Sequence, residues 1–423
     1  MNTLTPAKPS SYAWLVVGLL IPVVLLNYLD RQLLASMKTS IMADIPGIGQ
    51  EANWGKVLAF FKWTYAAFSP IGGYLADRFS RRHIITGSLM VWSAVTWATG
   101  HVQSYEQLLA ARALMGVSEA FYFPAALALI ADCHTGGTRS RAVGLHQMGL
   151  YAGVIIGGFS GYAAEHPSLG WRWAFDICGI VGIAYAVPLF LMLRQPAGFQ
   201  MAARTEEKAS PRAALGELLG NRSFILLVLC FTLPALAAWV VRDWMPAILK
   251  KEFAIGQGRA GVSATLYWQL AAIVGAICGG WLADRWMQRS ERGRIYVSAI
   301  GIFLIVPAMF GVGFAPKTGL LWVAVAFLIL FGLGWGFFDC NNMPILSQIA
   351  RPSLRATGYG LMNFVSISCG GVADWSFGAM SDQGLKLEVI FSVFAAAAVV
   401  AVCLMLMIRP KRELLDSQTT PAL

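Results

Sequence analysis

Long apolar runs, each closed by a short polar link, recur along the chain at about the 35-residue interval of one membrane crossing plus its loop. They predict helices over 14–37, 54–77, 84–101, 106–132, 138–164, 172–193, 223–249, 260–286, 294–314, 318–349, 355–380 and 386–409. The one long polar link, Arg194 to Arg222, carries Pro196, Glu206, Glu207, Lys208 and Pro211 and parts six helices from six. The expected fold is therefore an all-α membrane protein of twelve transmembrane helices in two six-helix bundles. Residues 1–193 form the first bundle, 194–222 an inter-bundle linker, and 223–423 the second bundle with a short tail.

Composition agrees: of 423 residues 57% are hydrophobic and 13% charged, a balance that rules out a soluble multidomain enzyme. The apolar stretch from Trp14 exceeds a signal-peptide core, and no small-residue cleavage pattern follows it, so it reads as a retained first helix. The net charge of +10 comes mostly from the links, among them Arg78, Arg81 and Arg82, Arg139 and Arg141, Arg204 and Lys208, Arg285 to Arg294, Arg351 and Arg355, and Arg409 to Arg412. Cytoplasmic loops accumulate Lys and Arg, which places both termini in the cytoplasm and accounts for the excess charge without nucleic acid. The seven cysteines have no CxxC or metal-ligand spacing and read as small apolar fillers. No HExxH, GxSxG or Cys/His arrangement is present to carry catalysis, and no metal site is expected. Gly149, Gly153, Gly157 and Gly161 repeat along one helical face and read as packing positions, since no GxxxxGK[ST] loop accompanies them.

An internal repeat supports the halving. Gly72-Gly73-Tyr74-Leu75-Ala76-Asp77-Arg78 follows the second helix, and Gly279-Gly280-Trp281-Leu282-Ala283-Asp284-Arg285 follows the eighth, at an offset of 207 residues. With the twelve-helix pattern, this loop and its copy resemble the major facilitator superfamily. That resemblance implies a latch at the cytoplasmic ends, built from Gly73, Asp77, Arg78, Arg81, Asp284 and Arg285, which breaks when the carrier opens inward.

Charges inside the bilayer are costly and usually line a polar path or pair with one another. They are Asp30 and Arg31 in helix one, Arg112 and Glu119 in helix four, Arg242 and Asp243 in helix seven, Asp339 in helix ten and Asp374 in helix eleven. Helix one runs outward and helix four inward, at ~1.5 Å per residue. Asp30 and Arg112 then lie at similar height, compatible with an ion pair, and Glu119 lies two turns deeper on the Arg112 face. When an anionic solute takes a guanidinium as partner, a released carboxylate can accept a proton, so solute and proton travel together.

Asn27-Tyr28-Leu29-Asp30-Arg31 with the run Arg112 to Ala125, supported by Arg139 to Gly144, Gly170 to Phe175 and Trp244-Met245-Pro246, resembles the anion:cation symporter family of sugar-acid and hexuronate transporters and sialin-like organic-anion carriers. The resemblance implies a proton-coupled symporter importing a small organic anion by alternating access, with the proton as coupling ion and no other cofactor. It implies a chain that works as a monomer in a plasma membrane, in bacteria the inner membrane. Arg31 would bind the carboxylate, Asp30 and Glu119 would be the protonatable pair, and Arg112 their charge partner. Tyr28, Tyr65, Gln147, Asn341, Asn342 and Asn363 would contact solute hydroxyls. His146, Trp239, Arg242 and Tyr267 are further cavity candidates. Ser118 and Phe121 depart from that family, which usually has Gly and Pro there. Spinster-like lysolipid carriers have a similar Asn-aromatic-x-Asp-Arg first helix and helix-four Glu, and Phe123-Pro124-Ala125 tips the reading toward sugar acids. The same charges are also compatible with a neutral-sugar carrier or a non-transporting membrane sensor.

Overall fold

The computed structural model describes residues 11–134, 138–194, 211–351 and 354–410, apart from the side chains of Asp77, Ser140, Pro211 and Arg212. Most of the expected linker, with Arg204 and Lys208, and the tail bearing Lys411 and Arg412 lie outside the described residues, as does the Asp77 side chain. The described residues form helices and no strands.

They cluster into two compact units. Of the described residues, the first contains those within 11–49, 60–194 and 256–261, and the second those within 50–59, 211–255 and 262–410. Helices of the first half are α1 (Ser11–Ser36), α2 (Lys38–Asp44), α3 (Glu51–Arg78), α4 (Arg81–Thr99), α5 (Tyr105–Glu119), α6 (Tyr122–Cys133), α7 (Arg139–Gly158), α8 (Ser160–Glu165) and α9 (Gly170–Met192). Those of the second half are α10 (Pro211–Gly220), α11 (Arg222–Phe253), α12 (Gln257–Met287), α13 (Gly293–Phe314), α14 (Leu321–Asp339), α15 (Asn342–Ile349), α16 (Arg355–Asp382) and α17 (Leu387–Met407). In the first unit α1 packs on α7 and α4 on α9; in the second, α11 packs on α16 and α17, and α13 on α14 and α17.

Among the described residues nine helical spans are long and apolar enough to cross a membrane. The helices expected over 54–77, 84–101 and 355–380 form as α3, α4 and α16, but they are too polar to be recognised as spans on those grounds. Large side chains such as Ile71, Ile180, Leu191, Val274, Ile277 and Phe303 stand exposed on the surface, as lipid-facing positions require.

Three expected helices are broken: two beside a proline, and the one over 138–164 at Phe159, where it splits into α7 and α8. Helix four stops at Glu119 and restarts at Tyr122, and helix ten stops at Asp339 and restarts at Asn342. Pro124 and Pro344 explain both breaks: each lies two residues into the restarted helix and has no N–H for the carbonyl four residues back, at Ala120 and Cys340. Gly72 supports the first break, because a Cβ there would lie 2.6 Å from the Ala120 carbonyl oxygen. Around Gly73 nothing lies within 4 Å of such an atom, so of the two glycines Gly72 is the close-packing one.

The two halves share one more device. Arg139 donates from Nε to the His134 carbonyl (3.1 Å) and from Nη2 to Ala131 (2.9 Å), closing the end of α6. Arg355 does the same for α15 at Ala350 (3.2 Å) and Ser347 (3.0 Å). Both arginines reach back five and eight residues, so two link cations that the sequence presents as topology signals also cap helix ends.

Candidate functional site

Four charges meet inside the first unit, on α1 and α5. Arg31 gives both Nε and Nη2 to Glu119 Oε2, each at 2.7 Å. Depth along the helices sets Asp30 opposite Arg112, yet the pair that forms is Arg31 with Glu119. Side chains lean toward the N-terminus of their own helix. On antiparallel helices the long Arg31 and Glu119 side chains therefore lean toward each other and close the two-turn height difference. Asp30 is too short to do so. Its Oδ2 accepts from Thr96 on α4 (2.9 Å), and it lies within electrostatic reach of Glu119, Arg112 and Arg31.

Aromatic rings surround the cation. The Arg31 guanidinium carbon lies 4.8 Å from the Tyr28 ring centre, 4.8 Å from Phe61 and 5.0 Å from Tyr65. Arg112 lies 4.5 Å from the same Phe61 ring and donates to Met115 Sδ. Each cation–π contact is worth ~0.5–2 kcal/mol, whereas removing one partner of a buried ion pair costs about 3–5 kcal/mol. The carboxylate therefore holds Arg31 and the rings steer it.

Gly116 makes this packing possible. It lies between Arg112 and Glu119 on one face of α5, and a Cβ there would run into the Phe61 carbonyl and the Thr64 hydroxyl. Without it α3 comes close enough to place Phe61 and Tyr65, one turn apart, against the arginines. Asp30 and Arg112 are each 2% exposed and Glu119 1%, while Arg31 is the least enclosed of the four. Asn27 sits beside the Glu119 carboxyl and is buried.

The other expected residues separate. Gln147 is half-buried, and among the described residues no hydrogen bond ties it down. His146 is fully enclosed, its Nε2 2.9 Å from the Tyr122 hydroxyl and its ring against Phe123, which makes it part of the core and not of a cavity. In the second unit Asn341, in the break after α14, donates back to Phe337 of α14 (3.0 Å), Asn363 donates to Tyr359 (3.1 Å), and Asn342 to Asp339 (3.3 Å). Arg242 lies 3.9 Å from Asp243 and 5.5 Å from the centre of the Trp239 ring, and Tyr267 is exposed. At the ends bearing the arginine-rich links, Arg81 pairs with Asp132, Arg78 lies over Tyr74 (4.4 Å), Asp284 pairs with Arg294 (3.1 Å) and Arg285 covers Trp281 (5.6 Å).

Sequence reasoning missed Phe61 and Thr96. Phe61 was detectable one turn before Tyr65 on the same face. Thr96 carries no charge and gives no such signal.

The Major Facilitator Superfamily pattern matches residues 20–373. The chain is 26% identical over 402 residues to Protein spinster of Drosophila melanogaster, covering 91% of this chain and 65% of that protein. To the mouse (Mus musculus) sphingosine-1-phosphate transporter SPNS2 it is 24% identical over 81% of this chain and 64% of the mouse protein. The chain thus spans just under two thirds of the length of each. A crystal structure of a bacterial homolog to human lysosomal transporter, Spinster, inward-facing and occupied, superposes with a TM-score of 0.78 at 20% identity, over 98% of this chain and all of that one. These relatives are spinster proteins, not specifically sugar-acid or sialin-like carriers, which corrects the narrower resemblance to anion:cation symporters, from whose pattern Ser118 and Phe121 already departed. With two buried carboxylates and two arginines inside an all-helical, multi-pass membrane protein, the chain belongs to the Major Facilitator Superfamily of transporters.

Proposed function

We propose that the chain is a proton-coupled carrier of a single-chain amphiphile with an anionic headgroup, of the lysophospholipid or sphingoid-phosphate class. The observation that carries this reading is Arg31: the least enclosed of the four clustered charges, ringed by Tyr28, Phe61 and Tyr65 and held by one carboxylate. A phosphate headgroup takes the place of Glu119 on the guanidinium, and the freed carboxylate takes a proton, so no uncompensated charge is left in a low-dielectric interior. The similarity to a sphingosine-1-phosphate transporter supports this solute class.

A sugar acid needs several hydroxyl partners besides the cation. Asn341 and Asn363 spend donors on nearby backbone carbonyls and Asn342 on Asp339, which favours a solute recognised by its head and solvated along its tail. The test is a thermal-shift and uptake panel with the purified protein in proteoliposomes, using sphingosine-1-phosphate, lysophosphatidic acid and glucuronate. Stabilisation and proton-gradient-driven flux with the two lipids, and neither with glucuronate, are expected. Response to glucuronate alone returns the assignment to sugar-acid import.

A further inference from the structure

The second unit contains a degenerate copy of the charged site. Gly116-Val117-Ser118-Glu119-Ala120-Phe121-Tyr122-Phe123-Pro124 and Gly336-Phe337-Phe338-Asp339-Cys340-Asn341-Asn342-Met343-Pro344 share glycine, acid and proline in the same register. In both, the helix ends on the acid and restarts three residues later. The glycines do the same work: a Cβ on Gly116 meets the backbone of α3 at Phe61 and Tyr65, and one on Gly336 meets the backbone of α12 at Ala272 and Ala276.

The surroundings of the two acids differ. Gly332 stands at the Arg112 register, and Ala272 and Ala276 stand where α3 supplies Phe61 and Tyr65. Among the described residues no Lys or Arg pairs with Asp339, and its polar partner is Asn342, which donates from Nδ2 at 3.3 Å. The groups around it are few. From α12 and α13 the Asp284–Arg294 pair bears on the neighbouring Cys340, from α11 comes Phe231 against Phe338, and from α16 Tyr359 against Phe231. The titratable side chain adjoining Asp339 is Cys340, whose Sγ accepts from Asn341.

We propose that Asp339 is a second proton-binding site of this transporter, the counterpart of Glu119 in the other unit. It rests on the proton-coupled reading above. An acid with no cation keeps its charge only while water reaches it, and otherwise takes a proton. Asn342 is 1% exposed, and its Oδ1 has no hydrogen-bond partner. Its amide donates to the ionised carboxylate and, turned over, accepts from the protonated acid, so one neighbour serves both states. Glu119 exchanges its charge against a solute at Arg31; Asp339, with no arginine beside it, exchanges its charge against water alone.

The experiment is infrared difference spectroscopy of the purified, ligand-free protein in lipid nanodiscs, stepped between neutral and acid pH. It needs no substrate, so its outcome is independent of the lipid assignment. Asp339→Asn is expected to remove one carboxylic-acid carbonyl band that persists in Glu119→Gln, Asp30→Asn and Asp374→Asn, and Asp339→Glu is expected to shift that band without removing it. The shift keeps the assignment testable if the Asn variant does not fold. A band pattern unchanged from the parent in the folded Asp339 variants, or a band that follows Na⁺ at fixed pH, overturns the proposal.

Discussion

At the residue scale the site turns on a contest for one guanidinium. Arg31 commits two N–H groups to a single oxygen of Glu119, while Glu119 Oε1 is buried without a hydrogen-bond partner. The carboxylate is thus held strongly on one side and poorly on the other, and an anion that reaches Arg31 has one contact to replace. In Glu119→Gln the cation loses its internal competitor and, on the proposed coupling, the proton loses its acceptor. Counterflow exchange of solute is expected to persist, while gradient-driven accumulation in proteoliposomes drops to the equilibrative level; accumulation equal to the parent's would refute the coupling role. Arg31→Ala removes the headgroup's charge-assisted hydrogen bonds, worth about 1.5–3 kcal/mol, so affinity should fall at least tenfold. The variant also leaves Glu119 buried without its cation, and a proton then neutralises the carboxyl. Its thermal transition should therefore lie closest to the parent's at acid pH and fall further behind as pH rises, which a melting series across pH reads directly.

At the scale of elements, glycine placement decides what the charges can touch. Gly116 carries α3 against α5, and the obstacles to a side chain there include a backbone carbonyl, which has little freedom to move. Gly116→Ala should cost about 1–3 kcal/mol through overpacking and push Phe61 and Tyr65 off the guanidinium, lowering both the melting temperature and ligand affinity. Gly73→Ala, with open space at its Cβ, is the matched control and should leave both unchanged or slightly improved. These differences also show what the sequence could disclose. The four charges were legible because apolar runs make them conspicuous, and the duplication was legible in the paired GG-aromatic-LADR links. The partner of Arg31 was not, because height along a helix says nothing of side-chain reach. Phe61 was hidden among many apolar neighbours. The break at Glu119 was signalled by Pro124, but the periodic apolar pattern running through it read as one helix.

For the whole molecule, the ends opposite the arginine-rich links carry a second matched pair of devices. The Asp382 carboxylate accepts from the backbone N–H groups of Glu51 (2.9 Å) and Ala52 (2.8 Å) at the start of α3, within the second unit. The Glu165 carboxylate accepts from those of Gln257 and Gly258 (3.2 Å) at the start of α12, within the first. A helix N-terminus leaves N–H groups unpaired and favours negative charge, and a capping side chain is worth roughly 0.5–2 kcal/mol. Here the cap comes from a residue far away in the chain, so it ties a helix tip to its unit as well as satisfying its donors. Asp382→Ala should raise amide hydrogen exchange across Glu51 to Trp54 and leave Gln257 to Ala260 protected. Glu165→Ala should do the reverse. Independent responses would establish two separate ties, and exchange unchanged in both variants would reduce the carboxylates to solvated surface groups. The same ends provide the check on topology. Twelve crossings require the polar helices α3, α4 and α16 to span along with the nine apolar ones, which is possible because a helix facing protein or a water-filled path need not be apolar all round. In a chain whose native cysteines have been replaced, a single cysteine at Ser80 or Arg351, in the arginine-rich links, should then react with an impermeant maleimide only from the cytoplasmic side, and one at Ser104 or Gln383 only from the other. Labelling of Ser80 and Ser104 from one side would show that α4 does not cross, labelling of Arg351 and Gln383 from one side would show the same of α16, and either result would make the count of twelve wrong.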